Sequence, residues 1–593
     1  MRLLPILAVL ASGLLHLEPA AAQLPQLRTA SEASGFVKTG RYDEVIRLCE
    51  AFVQAYPEQV RCSTFGTTPE GRPMQVLIVS QSGVHDPQQA AERKLPVTLV
   101  QGGIHAGEID GKDAGFLLLR ELLGGEVRGG KALLEKQVLL FVPVFNVDGH
   151  ERFGRWNRPN QRGPEEMGWR TTAQNLNLNR DYAKADAPEM RALLNLVNQW
   201  DPLLYVDLHV TNGAQFEHDV SVQVEPLHAG DAALRQAGRD LRDAVLAQLS
   251  DQGSLPLPFY PAFDVNEDPA SGITDVVAPP RFSTGYFLLR NRFGVLVETH
   301  AWKDYATRVR TTRNTVLNLL DQVARHGHNW RREALAADRR AAAFDGADVA
   351  LDYRADPQQE RVVDFRGYAY TRRPSAISGA LVTRYDEKRP QIWKMPVRDV
   401  VQPTLSVAAP RGGYVIPAAW AERLVPRLAA HGIEVVKLTS AQPALAAEAF
   451  KADSVQLDAR STEGRQRLTV TGKWSESTHA VAAGALFVPI AQPKARLVMA
   501  LLEPQAPDSA LAWGDFNNAF EQKEYMEAYV AEDVAKAMLA ADPALATEFI
   551  GKLAQDPAFA ANPAARLAFF AQRHSSHDQR LNWYPVLRVA RLP

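Results

Sequence analysis

Five short apolar runs, Gln75–Ser80, Pro96–Val100, Gln137–Val144, Leu203–Leu208 and Gly294–Thr299, set the strongest limit on how this chain folds. Each is rich in Val, Leu or Ile and carries few polar positions, which predicts strands buried on both faces. Apolar residues recur at helical spacing over Gly111–Leu123, Pro188–Trp200, Asp231–Leu249 and Tyr305–His326. A leading amphipathic helix is predicted over Arg41–Tyr56, ahead of Pro57. Strands and helices interleaved in this way predict an α/β fold, a mixed and mostly buried sheet flanked by helices.

Past this alternation the pattern changes. The charged stretch Asn329–Asp345 reads as a linker or bridging helix. Strands are predicted over Arg361–Tyr370 and Ala380–Tyr385, a helix over Ala418–His431, and a pair of alternating strands within Ser454–Trp474. From Glu521 onward the chain reads mainly helical. With 593 residues, at least two folded units are expected. The expected division is a leader over residues 1–22, a catalytic unit over 23–335, and a β-rich, then helical, accessory region over 336–593 to which no motif assigns a role.

Lys plus Arg (66) nearly balance Asp plus Glu (68), which argues against a nucleic-acid-binding face. Arg2, the apolar stretch Leu3–Leu15 and Ala20-Ala21-Ala22 have the layout of a cleavable export signal, with the mature chain starting near Gln23. The apolar stretch is too short to span a bilayer, and no later segment is apolar enough to do so. A periplasmic or extracellular protein is therefore expected. The two cysteines, Cys49 and Cys62, read equally as a disulfide or as two small buried side chains.

The chemistry concentrates in Leu99-Val100-Gln101-Gly102-Gly103-Ile104-His105-Ala106-Gly107-Glu108, a strand that runs into a glycine-rich turn. A turn of this length lets the His105 imidazole and the Glu108 carboxylate converge on one cation, and zinc accepts both donor types. A third protein ligand is then required. Leu203–His209 is a second buried strand that delivers a histidine at its end, which makes His209 the natural choice. A third strand delivers Glu298 in the same way. A buried carboxylate needs a reason: either an ion pair with a nearby Arg, or a general base acting on zinc-activated water. His150, His218 and His300 lie near these segments but read as hydrogen-bonded or surface histidines, not ligands.

Taken together these segments resemble the zinc carboxypeptidase family, over roughly residues 30–330. His105-Ala106-Gly107-Glu108 is similar to its His-x-x-Glu motif, His209 to its distal zinc histidine, and Phe145-Asn146-Val147-Asp148-Gly149 to its Asn-Pro-Asp-Gly turn. The resemblance implies one zinc ion, Glu298 as catalytic glutamate, and Asn179 and Arg180 as the pair that grips the free C-terminal carboxylate of a peptide substrate. It further implies Arg155, in Gly154-Arg155-Trp156-Asn157-Arg158, as the group that polarises the scissile carbonyl, with Arg158 and Arg162 as competitors. Tyr286 is the candidate for the substrate-capping tyrosine. One departure stands out: Asn177 occupies the position where the family commonly has an Asp bonded to the first zinc histidine, and Asp207 is a further candidate for supporting the ligands.

These features imply an exported zinc metallocarboxypeptidase. Two other readings share the residues: a zinc amidohydrolase acting on cell-wall peptides or N-acyl amino acids, and a non-catalytic peptide-binding protein.

Overall fold

The structure is a computed structural model that describes residues 25–593; the leader expected over residues 1–22 lies outside them. Nine strands occur in the first part of the chain: β1 (Val60–Thr67), β2 (Pro73–Val79), β3 (Val97–Gln101), β4 (Val138–Val142), β5 (Leu204–Val210), β6 (Val220–Glu225), β7 (Pro256–Leu257), β8 (Ile273–Thr274) and β9 (Phe293–Thr299). Eight of them form one sheet in the order β1-β2-β4-β3-β5-β9-β6-β7. Its centre, β4-β3-β5-β9, is parallel, and antiparallel strands join it on both sides.

Every residue of β3, β4 and β5 is buried, as their apolar sequences require when helices cover both faces. The helices Asp110–Gly124 and Pro188–Trp200 follow Gly- and Pro-containing entries, and Asp231 caps Ala232–Asp251 through the Ala233 N–H. The leading helix, Tyr42–Ala55, is tied to β1 by a Cys49–Cys62 disulfide, which settles the two-way reading of these cysteines. Tyr305–Ala341 is one continuous helix of 37 residues, so most of the charged stretch Asn329–Asp345 is its last turns. None of the described helices is long and apolar enough to cross a membrane.

The rest of the chain is built from long antiparallel hairpins. Arg361–Pro374 pairs with Leu381–Arg398, and the end of that second strand takes β8 alongside it in parallel. Gln442–Leu457 pairs with Leu468–Val481 inside a six-stranded sheet that also holds Gly413–Ile416, Val436–Lys437, Leu486–Pro489 and Leu587–Val589. Helices Ala528–Ala541, Pro543–Gln555, Pro557–Ala560 and Pro563–Ala571 gather around Phe559, Phe569 and Phe570. The β-rich then helical character expected from the sequence is present. The apolar core of the large sheet continues without a break into this region, through Leu351, Tyr414, Leu424 and Phe450.

Candidate active site

The site lies at the C-terminal ends of the parallel strands. After β3 the chain turns through Gly102 and Gly103, the latter at φ 65°, a left-handed conformation that suits glycine. The turn drops His105 and Glu108 beneath the end of β5. A side chain at Gly107 would place Cβ 2.5 Å from Arg158 Cγ, so glycine there leaves room for a guanidinium to lie against the turn. In β5 and β9 the pairing register sets His209 beside Glu298.

His105 Nδ1 lies 3.0 Å from Glu108 Oε1, and His209 Nδ1 lies 3.0 Å from Glu108 Oε2. One donor atom from each of the three falls within 4.8 Å of the others, and all three residues are buried. His105 Nε2 is backed by a hydrogen bond with Asn177 Oδ1 at 3.0 Å, while His209 Nε2 lies 3.1 Å from Asp207 Oδ1, a close charge pair outside hydrogen-bonding angles. A support of this kind fixes which nitrogen is left to point at a cation. Asp207 in turn accepts from Gln101 Nε2 at 3.3 Å, and Gln101 is held by Tyr205.

The charges suit a metal. Burial takes the His105 imidazole down to about 4 against the pull of Glu108, so it is neutral, as a ligand must be. Burial would raise the Glu108 carboxyl, but Arg158, His105 and His209 outweigh it and hold it well below the usual carboxylate range. His209 resists its burial through Asp207, Glu108 and Glu298, which keep its imidazole well above the ordinary value. A divalent cation would displace that proton. Two histidine nitrogens and a carboxylate are a donor set that zinc accepts. Glu298 Oε2 is buried with no hydrogen-bond partner among the described residues, a polar atom left for something other than the protein itself. Burial, with Glu108 and Asp207 adding to it, raises the Glu298 carboxyl to about 8.

The arginines are arranged differently from expectation. Arg155 is exposed, with its guanidinium 5.9 Å from the ring of Trp156, itself 78% exposed. Arg158, named with Arg162 as a competitor, lies against Glu108. Its Nη1 lies 2.8 Å from Glu108 Oε1, and Nη2 donates to Val210 O at 3.3 Å and Asn212 Oδ1 at 3.1 Å. Gln161 accepts from Arg158 Nε and donates to Gly107 O, which fixes the guanidinium against the turn. Arg170, singled out by nothing in the sequence, reaches Glu108 Oε1 at 3.4 Å. Arg162 instead pairs with Glu387 at the surface.

Asn179 and Arg180 follow Asn177 in one tight turn, and Asn177 Oδ1 accepts the Asn179 N–H at 3.0 Å. Arg180 donates to its own neighbour's carbonyl and, among the described residues, forms no ion pair with a carboxylate; its guanidinium lies 4.4 Å from the ring of Phe282. Burial, with Arg170 and Arg281, lowers its basicity, the setting of a cation left open for an anion.

Tyr286 is turned into the interior. It is fully buried, its hydroxyl 3.0 Å from His431 Nδ1 and 3.2 Å from Arg290 Nη1. Tyr260 lies close enough to the cluster for the charge of Glu298, together with burial, to raise its phenol. The sequence did hold a signal for it: Pro258-Phe259-Tyr260-Pro261 is an aromatic on a stiffened loop. His300 is stacked on Phe216, and His218 bridges Leu255 O and the Arg366 N–H.

The family model for zinc carboxypeptidases matches residues 45–252, a span that holds His105, Glu108 and His209 and ends ahead of Glu298. Carboxypeptidase 2 of Trichophyton rubrum is 25% identical over 472 residues, covering 75% of this chain and 78% of its own. A probable carboxypeptidase 2 of Trichophyton verrucosum is 31% identical over 186 residues, 31% of each chain. Among solved structures, a putative carboxypeptidase A from Shewanella denitrificans is 21% identical with a TM-score of 0.36, over 48% of this chain and 68% of that one. Thrombin activatable fibrinolysis inhibitor is 15% identical with a TM-score of 0.38, over 53% and 83%.

Proposed function

We propose that this chain, which carries a zinc carboxypeptidase-family domain over residues 45–252, is an exported enzyme that releases C-terminal residues from peptides with one bound zinc ion. One observation carries the reading: a buried His105, Glu108 and His209 cluster with Glu298 beside it on the neighbouring strand. The names of the curated relatives agree with it. Export is supported by the leader-like residues 1–22 and by the Cys49–Cys62 bond, which persists in an oxidising compartment.

In this reading His105, Glu108 and His209 hold the ion, with Asn177 and Asp207 orienting the two imidazoles. Zinc bound there supplies a Lewis acid and makes water acidic enough to attack at neutral pH. Glu298 takes a proton from the attacking water and passes it to the leaving amine. Arg158 stabilises the charge that grows on the scissile carbonyl oxygen. Arg180, with Asn179, binds the terminal carboxylate, for which a planar guanidinium is suited, and Tyr260 closes over the substrate.

The test uses zinc-loaded protein and peptides whose C-terminus is free or amidated. Free amino acid should appear from the first only, and Glu298→Gln should lower kcat by at least about a thousandfold with zinc still bound at one equivalent. Cleavage of muropeptides or N-acyl amino acids, with none of peptides, would move the assignment to a zinc amidohydrolase. Protein that binds no zinc and cleaves nothing after zinc is added would leave a peptide-binding role.

A further inference from the structure

The hairpin formed by Gln442–Leu457 and Leu468–Val481 carries its tip to the candidate active site. The tip is closed by Thr462 and Arg465, which exchange both backbone hydrogen bonds, at 2.8 and 3.0 Å, across Glu463-Gly464. Both central residues have positive φ, 50° and 74°, the signature of a type I′ turn. Gly464 adopts this freely. Glu463 does not: the position favours Asn, Asp or Gly, because a long side chain in the left-handed region is strained. Strain of this sort survives where the surroundings over-determine it, and is a reason to look for use.

The use is visible. Glu463 Oε2 accepts the backbone N–H of Asn177 at 2.8 Å, across 286 positions of sequence. The neighbouring Arg465 clamps the tip in place, with two bonds of 2.6 Å to Asp186 and one of 2.8 Å to Asp515. Asn177 is where two parts of the site meet. Its Oδ1 faces His105 Nε2 and also accepts the Asn179 N–H, each at 3.0 Å. Holding the backbone of Asn177 therefore holds both the amide behind a candidate metal ligand and the start of the Asn179–Arg180 pair. An Asp at position 177 could hold its imidazole by charge. The neutral amide of Asn177 depends more on being placed correctly, and the carboxylate that places it comes from the C-terminal region.

We infer that Glu463 is a positioning residue, through which the C-terminal region sets the geometry of the metal cluster and of the substrate-carboxylate pair. The inference rests on the function proposed above. Three proteins test it: wild type, Glu463→Asn and Glu463→Gln. Asn suits the turn better than Glu but is too short to reach Asn177, whereas Gln keeps an acceptor oxygen at the same reach. Glu463→Asn should keep or raise Tm, yet lower zinc affinity in a chelator competition about tenfold and raise KM for a free-carboxylate peptide by about three- to tenfold, with kcat less affected. Glu463→Gln should recover most of both losses. Wild-type zinc affinity and KM in Glu463→Asn would overturn the inference, and so would equal losses in the two variants. Wild-type protein that binds no zinc fails the functional reading first, and this inference with it.

Discussion

The part of the chain that holds the large sheet and the region that follows it use β-structure in opposite ways. In the first, the central strands are five to seven residues long, wholly or almost wholly buried, and matter for what stands at their ends: His105 and Glu108 after β3, His209 on β5, Glu298 on β9. In the second, the hairpin strands run to 14, 18, 16 and 14 residues with many exposed positions. Sixteen residues at about 3.3 Å each give a reach of about 50 Å. Short covered strands give precision of placement; long hairpins give distance. The candidate active site draws on both, its metal-candidate cluster from the first and a contact to Asn177, through Glu463, from the second.

If that division of labour is right, variants in the first region should damage chemistry, and variants at the part of the seam that does not touch the candidate site should damage stability. The largest effect in this set is expected at Arg158. Arg158→Ala should lower kcat/KM about 100- to 1000-fold, as for removal of a group that stabilises a developing oxyanion, whereas Arg155→Ala should change it less than about twofold, since exposed side chains of this kind contribute little. Equal losses in the two, measured on one peptide, would put the polarising arginine back at 155. A middle-sized effect is expected at Asp207. Asp207→Asn should weaken zinc binding by about 10- to 100-fold, read by chelator competition, with no comparable loss of Tm.

The smallest effect belongs to the seam. His431, from the C-terminal region, donates from Nε2 to Ala183 O at 3.0 Å and accepts from the Tyr286 hydroxyl at Nδ1. Burial, with Arg427, Arg290 and Lys494 around it, takes its imidazole down to about 3. Because that lies below the value of about 6.5 for an unfolded histidine, the unfolded chain binds the extra proton. The contribution of His431 is therefore complete above about pH 6.5 and is lost as pH falls toward 3. His431→Gln should be less stable than wild type at pH 7.5, and the gap should narrow by about 2 kcal/mol by pH 5 in urea unfolding. A gap that does not change with pH would mean that this seam is not held by a neutral histidine.

What could be read in advance follows the same contrast. The buried strands of the large sheet, the helices between them and the four residues His105, Glu108, His209 and Glu298 are legible because burial on both faces forces a continuous apolar run, and a polar residue at the end of such a run is conspicuous. β1 and β6 were not among the predicted strands, since their sequences, VRCSTFGT and VSVQVE, mix polar and apolar positions as strands outside the central four can. The readings of Arg155 and Tyr286 stand on a different footing. Both choices rested on short segments without periodicity, where three arginines or several tyrosines are equivalent until the loop is folded. Only the fold shows that Gly107 makes room for Arg158, and that Tyr286 turns inward to His431. Glu463 was beyond reach altogether, for no local pattern connects a turn residue with an amide 286 positions earlier.

That separation also has a meaning in time. A ribosome adding about 5–20 residues per second delivers Asn177 roughly 15–60 s before Glu463. The strand ends that carry His105, Glu108 and His209 can thus be in place while the brace behind Asn177 is still unmade. In this arrangement the site is finished by the last third of the chain to be synthesised, and a nascent or truncated chain would hold the ligands without the part that aligns them.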